Sequence, residues 1–198
     1  MKISARKYYS IATRGGHVLE AGMPTAENGG LVTLQVNTWA EAQQWKLTET
    51  EEGFYKIVNR ATKQVLDVAL GGDEDGCWIH QWEFNDGDNQ KWSVEDCEGG
   101  WVKIKSKLSG KSMDIVFMLD EPGMAVQIWE DVNGDNQMWT LLEKPVVRKA
   151  KKAEGEEKAE KPARKAPAKK AAAEAKAEKP AKKAPAKKAA KKAEKTEA

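Results

Sequence analysis

Hydrophobic and polar residues alternate along three short segments of the chain, and the features after each segment recur in the same order. The apolar positions of these segments lie two residues apart: Tyr9 and Ile11, Tyr55 and Ile57, and Val102 and Ile104. Such alternation is typical of a strand with one buried face. Turn residues, a short strand with one acidic residue, a loop and a third strand then follow. This pattern predicts about four short strands per unit and about twelve in all, and no segment of residues 1–144 shows a convincing helical period.

Each unit ends in a Gln-x-Trp motif, and the spacing of the motif gives the period of the chain. The three copies are Ala42-Gln43-Gln44-Trp45, Asn89-Gln90-Lys91-Trp92 and Asn136-Gln137-Met138-Trp139, so that successive tryptophans are 47 residues apart. A fixed period of this length indicates a repeat architecture. The units cover about residues 7–52, 53–98 and 99–144 of a 1–144 domain. A closed arrangement of the three would leave no exposed strand edge.

The Gln and the Trp of the motif point to the same face of their strand. We expect Trp45, Trp92 and Trp139 to fill the core where the units meet, because they are large and apolar and recur at equivalent positions. A buried Gln amide is costly without partners, so we expect it to bond backbone groups of an adjoining turn.

An acidic residue stands 23 positions before each Gln of the motif: Glu20, Asp67 and Asp114. In the second and third units a tryptophan follows this acid by 15 residues, with a polar residue two positions earlier: His80 before Trp82, and Gln127 before Trp129. Polar and aromatic side chains on one strand face favour a surface site. The alternatives are that both tryptophans pack inside, that the aspartates cap turns, and that His80 is simply solvated.

Three Gln-x-Trp units at equal spacing, each with an acid at a fixed distance, resemble the ricin B-chain-type β-trefoil lectins, which also occur as carbohydrate-binding modules of glycoside hydrolases. The resemblance covers about residues 7–143. It implies an all-β fold, a β-trefoil of three four-stranded repeats. It also implies sugar pockets in which the Asp accepts sugar hydroxyls, the aromatic residue stacks on the ring, and the Gln braces the Asp. The implied residues are Asp67, His80, Trp82, Asn89 and Gln90, and Asp114, Gln127, Trp129, Asn136 and Gln137.

The first unit departs from this pattern. Glu20 replaces the Asp, Gln35 stands where the aromatic residue is expected, and Ala42 stands where the Asn is expected. We therefore expect two competent pockets, in the second and third repeats. The resemblance implies glycan or polysaccharide partners with galactose-type sugars, bound without catalysis.

Physical chemistry supports the same assignment. A pyranose has a face of C–H groups and a rim of hydroxyls, so an aromatic plate and a fixed carboxylate complement it. A shallow pocket of this kind should bind with an affinity on the order of millimolar to tens of micromolar.

Residues 145–198 differ from the rest of the chain in composition. They contain 19 Lys and Arg against 8 Glu, a net charge of +11, whereas residues 1–144 carry 14 basic and 23 acidic residues, a net charge of −9. The segment has no aromatic residue, and we predict that it is disordered. Its Lys/Ala/Pro repeat resembles the tails of linker histones and histone-like bacterial proteins. We expect it to bind a polyanion such as nucleic acid; the alternative is a solubilising linker.

Other functions find little support in the sequence. No nucleophile, zinc or phosphate-loop motif is present, so we expect no enzyme, no cofactor and no metal. The runner-up hypothesis is an intracellular nucleic-acid-associated protein whose trefoil binds other proteins. No signal peptide or membrane-spanning run is visible, so we expect a cytoplasmic monomer in which Cys77 and Cys97 stay reduced.

Overall fold

Twelve strands and six short 3-10 helices make up the residues described by the computed structural model, 2–22 and 27–145. The prediction of an all-β chain with about twelve strands is confirmed. The predicted disordered tail, residues 145–198, lies outside the described residues except for Pro145. The strands are β1 (Tyr9–Ala12), β2 (His17–Ala21), β3 (Gly30–Val36), β4 (Trp45–Glu51), β5 (Phe54–Asn59), β6 (Val65–Val68), β7 (Ile79–Trp82), β8 (Trp92–Asp96), β9 (Val102–Ser106), β10 (Ser112–Ile115), β11 (Val126–Trp129) and β12 (Thr140–Glu143).

Six of the strands form a closed antiparallel barrel. In this barrel β1 pairs with β4, β4 with β5, β5 with β8, and β8 with β9. The pairing of β1 with β12 and a bridge between Val102 and Trp139 complete the ring. Closure leaves the barrel without a free edge, as the threefold pattern predicted.

The other six strands form three hairpins, β2–β3, β6–β7 and β10–β11, one from each repeat. They contact one another through the β3–β7 pairing and through the bridges Thr33–Ala125 and Trp78–Gln127. The predicted β-trefoil of three four-stranded repeats is therefore confirmed. Each hairpin places an acid-bearing strand beside a second strand of the same repeat.

The three motif tryptophans are fully buried in one core cluster, as predicted. Each indole N–H donates to the carbonyl of the residue just before the acid: Trp45 to Leu19 (2.9 Å), Trp92 to Leu66 (3.1 Å) and Trp139 to Met113 (3.1 Å). The core tryptophan thus fixes the strand from which the acidic side chain projects. Each core tryptophan therefore contributes to a binding site only by positioning the acid-bearing strand.

The motif glutamines are also buried, and they bond the turn before them. The Gln90 amide donates to the Glu83 carbonyl at 2.8 Å and accepts from the Asn85 N–H at 2.8 Å. Gln137 makes the same two bonds, to Glu130 and from Val132. These contacts confirm the predicted backbone bonding and anchor the turn that leads into the motif.

Candidate functional site

Two clefts in the second and third repeats bring together most of the residues that the sequence nominated. Asp67 lies on β6 directly opposite His80 on β7, and Asp114 lies on β10 directly opposite Gln127 on β11. Directly opposed residues have neighbouring side chains, so the hairpin register alone joins each acid to its polar partner. Asp67 and Asp114 are each only 4% exposed.

The third-repeat cleft is built around the Asp114 carboxylate. One oxygen accepts from Gln127 Nε2 at 3.0 Å, and the other accepts from Asn136 Nδ2 at 2.6 Å and Gln137 Nε2 at 3.0 Å. Burial raises the pKa of the Asp114 carboxyl, and the bonds from Gln127 and Gln137 oppose this shift only in part. A carboxylate has about four lone-pair positions, so room remains for a ligand hydroxyl.

The second-repeat cleft holds Asp67 with different partners. Its carboxylate accepts from Asn89 Nδ2 at 2.9 Å and contacts His80 Nε2 at 2.8 Å, and these are its partners among the described residues. The expected bracing of Asp67 by Gln90 is therefore wrong. The Gln90 amide N–H is taken by the Glu83 carbonyl, whereas in the third repeat Gln137 reaches both a carbonyl and the carboxylate.

The two predicted stacking residues line the clefts. Trp129 is 37% exposed, and Trp82 is partly exposed and stacks on His80 with ring centroids 5.3 Å apart. The glycine loop of the preceding repeat approaches each indole: a side-chain carbon added at Gly29 or Gly76 would lie 3.8 Å from one ring carbon of Trp82 or Trp129. Each indole therefore lies close to the neighbouring repeat.

The lip of each cleft contains residues that sequence reasoning missed. Leu70 and Gly71 border the second cleft, and Phe117 and Met118 border the third, all four with positive φ between 57° and 62°. Asn85 lines the second cleft, and Val132 lines the third. The 47-residue period could have shown that these lip residues occupy equivalent positions in the two repeats. A left-handed backbone at Leu, Phe or Met, however, cannot be inferred from residue type. The clefts have volumes of about 230 Å³ and 320 Å³.

The first repeat keeps the acid but lacks the aromatic plate. Glu20 accepts from Gln43 Nε2 at 2.7 Å, and Gln35 occupies the register position of the two cleft tryptophans on β3. Loss of sugar binding in this repeat stays a prediction.

Three further features of the described residues concern metal-ligand clusters, cysteines and apolar helices. Within residues 2–22 and 27–145, no group of three or more His, Cys, Asp or Glu side chains could hold a metal ion. Cys77 and Cys97 are both free thiols. No helix in the described part of the chain is long and apolar enough to cross a membrane.

Comparison with known proteins agrees with this geometry. A model of the ricin-type beta-trefoil lectin domain-like family matches residues 3–82 and 88–152, and the chain therefore belongs to this family. No curated protein gives a significant match to the sequence.

Similar solved structures include lectins, an enzyme and a designed protein. ThreeFoil, a designed 3-fold symmetric protein, is 30% identical with a TM-score of 0.67, covering 69% of this chain and 99% of its own. The exo-beta-1,3-galactanase 1,3Gal43A from Clostridium thermocellum is 31% identical with a TM-score of 0.69, covering 72% of this chain but only 31% of the galactanase. The Macrolepiota procera ricin B-like lectin, solved with lactose, is 19% identical with a TM-score of 0.62, covering 73% of this chain and all of the lectin.

Proposed function

We propose that this protein binds carbohydrate without catalysis, through the clefts of the second and third repeats. The observation that carries the proposal is the double occurrence of one arrangement. In both clefts a buried aspartate lies opposite a polar side chain, is held by an Asn amide, and shares the cleft with a partly exposed tryptophan. A binding site that occurs twice in one chain at the same register is better explained by a shared ligand class than by turn chemistry.

Each cleft offers the groups that a pyranose requires. The indole stacks on the C–H face of the ring, and the carboxylate accepts hydrogen bonds from hydroxyls at its edge. Asn89 and Asn136 donate their Nδ2 hydrogens to the aspartates, which leaves each Asn Oδ1 without a donor among the described residues. In this proposal that oxygen accepts from a further sugar hydroxyl.

We propose a galactose-type ligand for both clefts. The Macrolepiota procera lectin was solved with lactose, and the Polyporus squamosus lectin with a sialylated Galb1-4GlcNAc epitope; the latter is 22% identical with a TM-score of 0.62. The galactanase, at 31% identity, acts on a galactan. These ligands belong to the other proteins, and they support galactose-type sugars as the first probes for this chain.

Glycan-array binding of the full chain tests the proposal. Asp67→Ala combined with Asp114→Ala should abolish glycan binding while circular dichroism and thermal unfolding show a folded protein. The matched control removes two exposed acids outside the clefts, Glu52→Ala with Asp73→Ala, and should bind as the wild type does. Undiminished glycan binding by the folded cleft variant would refute the assignment.

We further propose that residues 145–198 attach the protein to a polyanion, because this segment has a net charge of +11 and contains no aromatic residue. Binding through counterion release is steeply salt-dependent and independent of sequence. Affinity of the full chain for duplex DNA should fall with rising salt, and a chain ending at residue 144 should not bind DNA. If the shortened chain binds DNA equally well, the tail is not the attachment site.

A further inference from the structure

The two clefts are built on one plan, and they differ at the walls that a ligand would meet beside the sugar ring. Met118 in the third cleft stands where Gly71 stands in the second, 47 residues earlier, and Val132 stands where Asn85 stands. Phe117 likewise replaces Leu70. The third cleft also has the larger volume, about 320 Å³ against 230 Å³, and its lining exposes mainly carbon atoms.

The backbone at Met118 points to a role for its side chain outside folding. Met118 has φ of 57°, in the left-handed region that disfavours residues with a Cβ, whereas Gly71 adopts the same conformation without that cost. The Met118 side chain is 74% exposed and Phe117 is 79% exposed, so core packing does not account for either. Leu70 in the second cleft has the same left-handed backbone and is fully exposed, so a strained, exposed apolar residue borders both clefts. What the third cleft has in addition is the Met118 side chain.

A second lining position changes in the same direction. The Asn85 Oδ1 accepts from the Gly87 N–H at 3.0 Å, and the Asn85 Nδ2 has no acceptor among the described residues. The Val132 side chain has no hydrogen-bonding group, and Val132 is 54% exposed. The replacement removes a hydroxyl partner and adds a surface that gains free energy only when it is covered by apolar atoms.

We propose that the third-repeat cleft selects a sugar that carries a methyl group beside the ring, as an acetamido or 6-deoxy substituent, and that the second-repeat cleft does not. This inference rests on the proposed carbohydrate binding. Asp114 and Trp129 hold the pyranose, and Met118 with Val132 cover the methyl group. Burying one methyl group corresponds to an affinity gain of about fourfold.

The two clefts can be followed separately in one full-length molecule, because each contains one tryptophan. The indole N–H signals of Trp82 and Trp129, assigned by single Trp→Phe variants, report each site in NMR titrations. The probes are methyl β-galactoside, its 2-acetamido derivative and its 6-deoxy derivative. We expect at least one methyl-bearing probe to bind about fourfold more tightly than the parent at Trp129, with no preference at Trp82.

A reciprocal exchange provides the matched control. Met118→Gly with Val132→Asn should erase the preference at Trp129 while the parent galactoside still binds, and Gly71→Met with Asn85→Val should create it at Trp82. The first exchange relieves backbone strain and should fold. A preference at Trp129 that survives this exchange, or equal affinities for all three probes at both sites, would overturn the inference and leave carbohydrate binding intact. If none of the probes shifts either signal, the proposed galactose-type binding fails together with it.

Discussion

Folding and the proposed sugar binding place opposite demands on the Asp114 side chain. Its carboxyl is buried on β10, and burial raises its pKa because the charged form loses hydration. A carboxyl whose pKa is higher in the folded than in the unfolded state contributes most to stability when protonated. That contribution is lost as the pH rises through the folded-state pKa. At neutral pH the ionised form therefore costs stability, and it is the form that the proposed sugar binding uses as a hydrogen-bond acceptor.

Replacing this charge should separate the two demands. We expect Asp114→Asn to unfold at the same or a higher temperature than wild type at pH 7, because Gln127 can turn its amide to complete the hydrogen bonds. The difference should shrink as the pH falls through the folded-state pKa of Asp114, where the wild type is also neutral. Galactoside affinity at Trp129 should drop roughly tenfold or more, since charge-assisted bonds are lost. A variant that is clearly less stable at pH 7 would contradict this account.

His80 permits a second test at the scale of a single residue. It holds the register position that Gln127 holds in the third repeat, and both contact their aspartate. His80→Gln should keep galactoside affinity at Trp82 within about threefold, because a Gln amide can donate to the carboxylate in the same way. His80→Ala should weaken binding more, since Asp67 loses one of its two partners. Equal losses for both variants, measured by NMR titration, would mean that the imidazole ring itself contacts the sugar.

At the scale of the strand and hairpin, much of the site could be predicted from sequence. The 47-residue period showed which positions are equivalent, and the alternation of residues placed His80 and Trp82 on one strand face. Their link to Asp67 came from the family resemblance, and the pairing register came from the structure. The core positions of the three motif tryptophans followed from the same reasoning.

The lips of the clefts could not be predicted in this way. Phe117 and Met118 adopt a left-handed backbone that only glycine signals reliably, and the two residues have no alternating pattern to place them. The bracing of Asp67 by Gln90 was wrong for a related reason. Whether an amide reaches a backbone carbonyl alone or the carboxylate as well depends on side-chain geometry that equal spacing does not determine.

The division between core and cleft tryptophans gives a prediction at this scale. Trp139→Phe should lower the free energy of unfolding by about 2–4 kcal/mol, because it leaves the buried Met113 carbonyl unpaired and opens a small void. Trp129→Phe should lower the free energy of unfolding by less than about 1 kcal/mol, since the Trp129 ring is partly exposed. It should weaken galactoside binding several-fold, because Phe offers less area for stacking. Chemical denaturation and NMR titration of the same two proteins measure both effects. A large stability loss for Trp129→Phe would place that ring in the core.

At the scale of the whole domain, closure of the barrel makes the three repeats one body. The β1–β12 pairing joins the first repeat to the third, and the Val102–Trp139 bridge closes the third repeat on itself. The bridge between Trp78 and Gln127 also ties the second hairpin to the third. Two shallow sites on a rigid body can bind a multivalent glycan far more tightly than either binds one sugar, because the second binding step becomes intramolecular.

A comparison of soluble and surface-bound sugar tests this consequence. On a surface densely coated with galactoside, Asp67→Ala or Asp114→Ala alone should lower apparent affinity about a hundredfold, because either change removes the second attachment. For free methyl β-galactoside, the dissociation constant at the remaining site should stay at its wild-type value in each variant, since the clefts share no side chain. Surface plasmon resonance measures the first quantity and NMR titration the second. If either single variant binds the coated surface with an apparent affinity within about twofold of the wild-type value, the two clefts do not bind one glycan surface together. Each cleft then acts as an independent weak site.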